Sequence, residues 1–221
     1  MIGRGFAAAG RIGVMPLGVD ESFAPLSGLD PDRVRAVRAA YRLPERFLLY
    51  VGRLNERKNI QHLLQSLQAL EDRDIELILA GAPDWKMFDL AARIRGLGLQ
   101  GRVRLLGAVA GADLPALYAL ATVFCYVSFA EGFGLPPLEA MASGVPVVVS
   151  DRDSLPEVCA GAGTYVDPEN PAGIAAAIDS LLRDESLRRE KRDLGLQQAE
   201  LFSWRRSAGM LLRACAQAVR G

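Results

Sequence analysis

Two stretches of this chain carry side chains whose types and spacing can do chemistry. In 51–60, VGRLNERKNI, Gly52 closes an apolar run, and Arg53, Arg57 and Lys58 cluster just before a helical pattern that begins at Asn59. Cations beside a helix N-terminus, whose free N–H groups already favour anions, make a phosphate site. The same cluster also fits a solvated basic turn, and composition alone does not choose. In 128–148, SFAEGFGLPPLEAMASGVPVV, Glu131 follows a buried run, Gly132 and Gly134 let backbone approach a ligand, and Pro136 and Pro137 suit a helix's first turn. Glu139 falls about one turn into that helix, where its carboxylate can accept two hydrogen bonds from a neighbouring pair of hydroxyls. Two surface glutamates beside a turn would be the plainer reading, but it leaves the tandem prolines and glycines unexplained.

The elements that must hold these groups are legible as alternating patterns. Apolar runs at 47–51, 75–80, 103–106, 123–127, 145–149 and 164–166 are rich in Val, Ile and Leu without polar alternation, as suits strands buried on both faces. Between them lie helical stripes, such as Ile60, Leu63, Leu64, Leu67 and Leu70, or Ile174, Ile178, Leu181 and Leu182. Strand and helix in alternation predict a three-layer α/β/α domain on a parallel sheet of about six strands. Ligands of such sheets bind beyond the carboxyl ends of the strands, so the loops after Val51, Ala80, Leu106, Val127 and Val149 are where function is expected.

Composition narrows the class. Half of the 221 residues are hydrophobic, enough for one sizeable core, and the formal net charge of +0 lacks the surplus that backbone-driven nucleic-acid binding needs. No apolar run reaches the roughly 20 residues of a membrane helix, and no signal-peptide core opens the chain, so a cytoplasmic protein is expected. Cys125, Cys159 and Cys215 lie far apart inside apolar runs and read as buried thiols. Residues 1–10 read as a tail or the edge of something larger, residues 11–201 as the ligand-binding domain, and residues 202–221 as a final helix whose stripe of Trp204, Ala208, Leu211, Cys215 and Val219 has no further strand to cover.

The segments VGRLNERKN, LLGAVAGADLPALYALATVFCYVSFAEGFGLPPLEAMASGVPVVVSDRDSLPEV and GTYVDPENPAGIAAAI together resemble the nucleotide-sugar-binding half of the family 4 retaining glycosyltransferases, particularly bacterial mannosyltransferase-like members. The resemblance implies a Rossmann-like domain, one half of a GT-B fold. It implies that Arg53 and Lys58 bind the donor's diphosphate, that Glu139 holds the ribose hydroxyls, and that Glu131 with the amides of Gly132, Phe133, Gly134 and Leu135 contacts sugar and phosphates. Gly52 and Gly81 belong to the same expected donor site, and 107–114, including Val109 and Leu114, corresponds to the loop lining the base pocket. Arg53, Lys58 and Glu131 are the expected catalytic groups, with no metal or cofactor; Glu131 positions the sugar rather than attacking it.

The implied partners are a nucleotide sugar, GDP-mannose or a UDP-sugar, and a saccharide or lipid-linked acceptor held by an amino-terminal half outside this chain. That half would also receive the last helix, which otherwise self-associates; the intact enzyme could then lie against the inner face of the membrane. The expected activity is hexose transfer, with this fragment inactive alone. The alternatives are a non-catalytic nucleotide-sugar-binding module and, less well matched, a GT-B epimerase.

Other motifs are set aside. Asp151 and Asp153 form a D-x-D pattern, but so do Asp30 and Asp32, and Asp72 and Asp74; Asp153 is instead expected to cap the helix at 155–160. Gly3, Gly5 and Ala8 loosely fit a dinucleotide fingerprint without the strand it requires. His62, the only histidine, is expected to be structural, and Trp85 either roofs the crevice or covers core.

Overall fold

The computed structural model describes residues 13–82, 84 and 89–220, with the side chains of Val219 and Arg220 outside that description. The expectations for residues 1–10, for Gly3 and Gly5, and for Trp85 lie outside the described residues.

Six strands form one sheet: β1 (Phe47–Val51), β2 (Glu76–Ala80), β3 (Val103–Gly107), β4 (Val123–Tyr126), β5 (Val147–Ser150) and β6 (Gly163–Val166). They are all parallel, in the order β3-β2-β1-β4-β5-β6. The apolar runs locate them to within a residue or two. The largest shift is at β5: Val145 instead ends the preceding helix, its N–H donating to the Ala140 carbonyl at 3.0 Å. Pro146 has no N–H to give a ladder, and pairing starts at Val147.

Nine helices are described: α1 (Pro31–Ala40), α2 (Ile60–Ala69), α3 (Leu90–Gly96), α4 (Leu114–Ala119), α5 (Leu135–Ala142), α6 (Leu155–Cys159), α7 (Pro171–Arg183), α8 (Glu185–Glu200) and α9 (Trp204–Arg220). On one face α2 packs on α7; on the other, α1 packs on α4, α4 on α5 and α5 on α8. The α2 stripe of Ile60, Leu63, Leu64 and Leu67 is at most 1% exposed. Each such side chain contributes about 1.5–3 kcal/mol by leaving water. Asp30, Asp89, Asn170 and Asp184 cap their helices by accepting from backbone N–H groups.

The strand order reverses between β1 and β4, whose partners lie outward on opposite sides, so a crevice opens at their carboxyl ends. The pairing there is short. β1 matches β2 over five residues but meets β4 only at Leu48↔Val123 and Leu49↔Phe124. Above those rungs, Tyr50 and Tyr126 stack with ring centroids 5.7 Å apart in place of a ladder.

The two ends of the described chain meet. Val19 N–H donates to the Phe202 carbonyl at 2.9 Å, and Ser207 Oγ donates to the Pro16 carbonyl at 2.6 Å. Gly18 lies so close to the Trp204 backbone that a Cβ there would collide with it. Beyond this clamp α9 is exposed, with Trp204 49%, Leu211 52% and Leu212 70% accessible. Cys215 is exposed with it, because residues 211–218 of α9 are all exposed, correcting the expectation of three buried thiols. Cys125 and Cys159 are buried, and burial pushes the Cys159 thiol up to about 12. No described helix is long and apolar enough to cross a membrane.

Candidate functional site

The loop after β1 and the loop after β4 meet across the crevice. The first makes a short 3-10 turn, Glu56–Lys58, capped by the Asn55 side chain, which accepts from Lys58 N–H at 3.2 Å. This turn swings the Lys58 side chain inward, where it is only 9% exposed. Its ammonium donates to the Tyr126 hydroxyl and to Glu131 Oε1. The Glu131 side chain is 7% exposed, so the two opposite charges are held together largely out of water. Burial lowers the Lys58 pKa from its ordinary value, and the contact with Glu131 opposes that shift.

Around this pair the two loops are stitched by polar contacts. Arg57 Nη1 donates to the Ala130 carbonyl at 2.7 Å and lies 3.6 Å from Glu131 Oε2. Phe129 N–H donates to the Arg57 carbonyl at 2.9 Å. Asn59, in the left-handed region at φ 57 and 1% exposed, donates from Nδ2 to the carbonyls of Val127 (2.9 Å) and Pro168 (2.7 Å), tying in the loop after β6 as well. His62 contacts the same Pro168 carbonyl through Nδ1 at 2.9 Å and meets Phe129 edge-on at 5.7 Å, a structural setting.

Gly134 starts α5 at φ 104, where a Cβ would also press on Leu155 at 2.7 Å. That conformation leaves the first α5 amides at the end of β4, beside Gly132 and Glu131. Phe133 packs edge-on to Phe202 at 5.9 Å, and its carbonyl accepts from Ser154 Oγ at 2.8 Å. Glu139 lies in α5, and its Oε2 accepts from the Tyr118 hydroxyl of α4 at 2.7 Å. Burial raises the Glu139 pKa above the ordinary carboxylate value, while the Tyr118 hydrogen bond pulls it back.

The expected residues are therefore not all alike. Lys58 and Glu131 touch. Gly52 and Gly81 face each other so closely that a Cβ on Gly81 would collide with the Gly52 carbonyl. Arg53 is exposed, with no side-chain partner among the described residues; it is Arg57 that meets Glu131. Val109 and Leu114 lie beyond β3, half-buried against the core, on the approach to α4. Asp153 is not a helix cap: it sits at φ 53, and its carboxylate accepts from Glu131 N–H at 2.9 Å, so it braces the Glu131 loop from the β5 side. Among the described residues no three His, Cys, Asp or Glu side chains are grouped as a metal site.

Sequence reasoning missed the floor. Tyr50, Tyr118 and Tyr126 are at most 1% exposed and belong to an aromatic series with Phe124. Each hydroxyl ends at a different site residue: Tyr50 donates to the Arg53 carbonyl at 3.0 Å, Tyr126 accepts from Lys58, and Tyr118 donates to Glu139. The signal available was tyrosine where phenylalanine would fill the core equally well.

The comparisons with known proteins agree with this architecture. The family described as "Glycosyl transferases group 1" matches residues 36–195. O-antigen chain mannosyltransferase B of Escherichia coli is 42% identical over 200 residues, covering 89% of this chain and 52% of that protein. Sucrose-phosphate synthase of Thermosynechococcus elongatus superposes with a TM-score of 0.81 at 29% identity, over 99% of this chain and 55% of that one. Anabaena HepE, solved in complex with UDP and glucose, has a TM-score of 0.85 over 96% of this chain and 59% of its own; at 22% identity it is a likeness of fold. The chain thus spans about half the length of these proteins. With one half of the GT-B architecture present and the family match running through both loops of the crevice, the chain belongs to the group 1 glycosyltransferases.

Proposed function

We propose that this chain is the donor-binding half of a retaining, family 4 glycosyltransferase that moves a hexose, by its relatives mannose, from a nucleotide sugar to a saccharide or lipid-linked acceptor. The observation that carries the reading is the buried Lys58–Glu131 pair across the β1–β4 crevice, with Glu139 on the helix that starts there. The mannosyltransferase relative at 42% identity supports mannose, and the UDP complex of a structural neighbour supports a nucleoside diphosphate as the anchoring group.

In this reading the donor's diphosphate meets Lys58 and the exposed Arg53, its ribose meets Glu139, and its sugar meets Glu131 and the amides from Gly132 to Leu135. The bond from the anomeric carbon to the phosphate oxygen breaks and its electron pair leaves with the diphosphate. The acceptor oxygen bonds to the same face of that carbon, and its proton passes to the departing phosphate. Fixed cations act more strongly on the departing diphosphate than on the intact donor, which lowers the barrier. Glu131, already occupied by Lys58 and Arg57, orients the sugar rather than attacking it. The acceptor is held by a second domain of the intact enzyme; such positioning accounts for roughly 7–11 kcal/mol of a barrier. This chain alone therefore binds donor without turning it over.

Calorimetric titration with GDP, UDP, GDP-mannose and UDP-glucose tests the binding, and sugar transfer with and without an added amino-terminal half tests the division of labour. Failure to bind any of the four would remove the proposal. Turnover by the chain alone at rates typical of enzymes would remove the two-domain requirement.

A further inference from the structure

We infer that Tyr118 is the positioning residue for the ribose-holding carboxylate: its buried hydroxyl pins Glu139 Oε2 so that Oε1 is presented to a ribose diol. The inference rests on the donor-site reading above and adds a residue to it.

The geometry begins with a ring that cannot move. Tyr118 is 0% exposed, meets Phe23 edge-on at 5.5 Å and lies tilted against Phe124 at 5.3 Å. A phenol buried this deeply needs an acceptor, and Glu139 Oε2, 2.7 Å away, is the one it has. The other carboxylate oxygen is different. Oε1 has no protein partner among the described residues, and it is not one of the buried side-chain atoms left unpaired, so it keeps some contact with solvent. A carboxylate in free rotation would spend its time among several orientations. One oxygen fixed to a rigid ring leaves the other aimed outward before a ligand arrives, and that pre-organisation removes an ordering cost from binding. The Tyr118 hydroxyl, with its pKa raised well above the ordinary value by burial and by Glu139, stays a donor throughout the working pH range.

Tyr118→Phe removes one oxygen and keeps the ring. Calorimetry on the full chain with GDP, UDP and their 2′-deoxy counterparts should show a ribose preference in the parent that falls about tenfold in the variant, with the deoxynucleotide affinities little changed. A purely structural role would weaken all four ligands alike. An unchanged ribose preference in a folded Tyr118→Phe variant would overturn the inference while leaving the donor site standing, as would a parent that binds both sugars equally. A parent that binds neither GDP nor UDP would overturn the donor-site reading itself, and this inference with it.

Discussion

Replacing Glu139 by glutamine should make the protein more stable and a poorer binder at once. The side chain is held partly out of water, and burial is the larger cause of its raised pKa, so its negative charge at neutral pH is a cost to the folded state. Glutamine keeps the acceptor that Tyr118 needs at 2.7 Å and places its amide nitrogen where Oε1 keeps some contact with solvent, so no buried group loses a partner. Removing the charge should then stabilise the fold by about 0.5–2 kcal/mol, the usual scale for relieving a functional compromise. Binding should move the other way. An amide nitrogen cannot accept from a hydroxyl, and the loss of charged hydrogen bonding to the ribose should cost about 1.5–3 kcal/mol, roughly a 10- to 150-fold weaker dissociation constant. The pH dependence has a definite sign. Because the folded pKa lies above the ordinary 4.5, the folded chain keeps a proton that the unfolded chain has lost, and stability falls as pH rises through that window. The stability gap between variant and parent should therefore be full at pH 7 and close as pH falls toward 4.5. Urea midpoints at several pH values, with an unchanged slope, read the first effect, and calorimetry with ribo- and deoxyribonucleotides reads the second. A glutamine variant less stable than the parent at pH 7, with the same pH profile, would refute the argument from burial.

Three further outcomes concern the crevice loops and the exposed last helix. Lys58→Met and Glu131→Gln should each destabilise by about 2–3 kcal/mol, at the low edge for breaking a buried pair because Tyr126 and Arg57 remain as partial partners, and the double variant should cost less than the two singles together; additive losses by denaturant unfolding would mean the pair is not coupled. Lys58→Met should also weaken nucleoside-diphosphate binding, as should added salt, whereas exposed Arg53→Ala should weaken binding with stability within about 0.5 kcal/mol of the parent; normal affinity in both variants would remove the phosphate from this loop. On α9, where Leu211 and Leu212 are 52% and 70% exposed, the isolated chain should self-associate with concentration, and Leu212→Glu should shift it toward monomer in sedimentation; a parent monomeric at all concentrations would contradict this.

The sheet was legible because buried parallel strands read as continuous apolar runs, and the crevice was legible because glycines and charge fall at the ends of β1, β2 and β4. What was not legible depends on partners distant in sequence. Nothing in the order of residues says that Lys58 reaches Glu131 while Arg53 stays in solvent, since the choice is made by a turn capped through Asn55. Asp153 looked like a cap by its place before α6, yet its left-handed backbone turns the carboxylate toward Glu131. Tyr118 and Tyr126 are indistinguishable from core aromatics until their hydroxyls are seen to end on charged groups.

The short pairing of β1 with β4 bears on how the molecule is assembled. Strands β1 to β3 and strands β4 to β6 each pair with their neighbours in sequence, so each half can gather from contacts close along the chain. The join between them must wait for residues some seventy positions apart, such as the Phe47 N–H that donates to Thr122 Oγ1 with a separation of 75. The packing of α2 on α7 holds that join from one face, while at its carboxyl end only two rungs, the Tyr50–Tyr126 stack and the loop contacts around Lys58, Asn59 and Phe129 bridge the strands. A molecule bound across both loops would act as a staple on that end of the join, adding stability that grows with its concentration. Amide exchange should reveal it: the Phe129 N–H, bonded to the Arg57 carbonyl, should exchange early in the free protein and slow on adding GDP or UDP, while amides inside the β1–β2 ladder should change little.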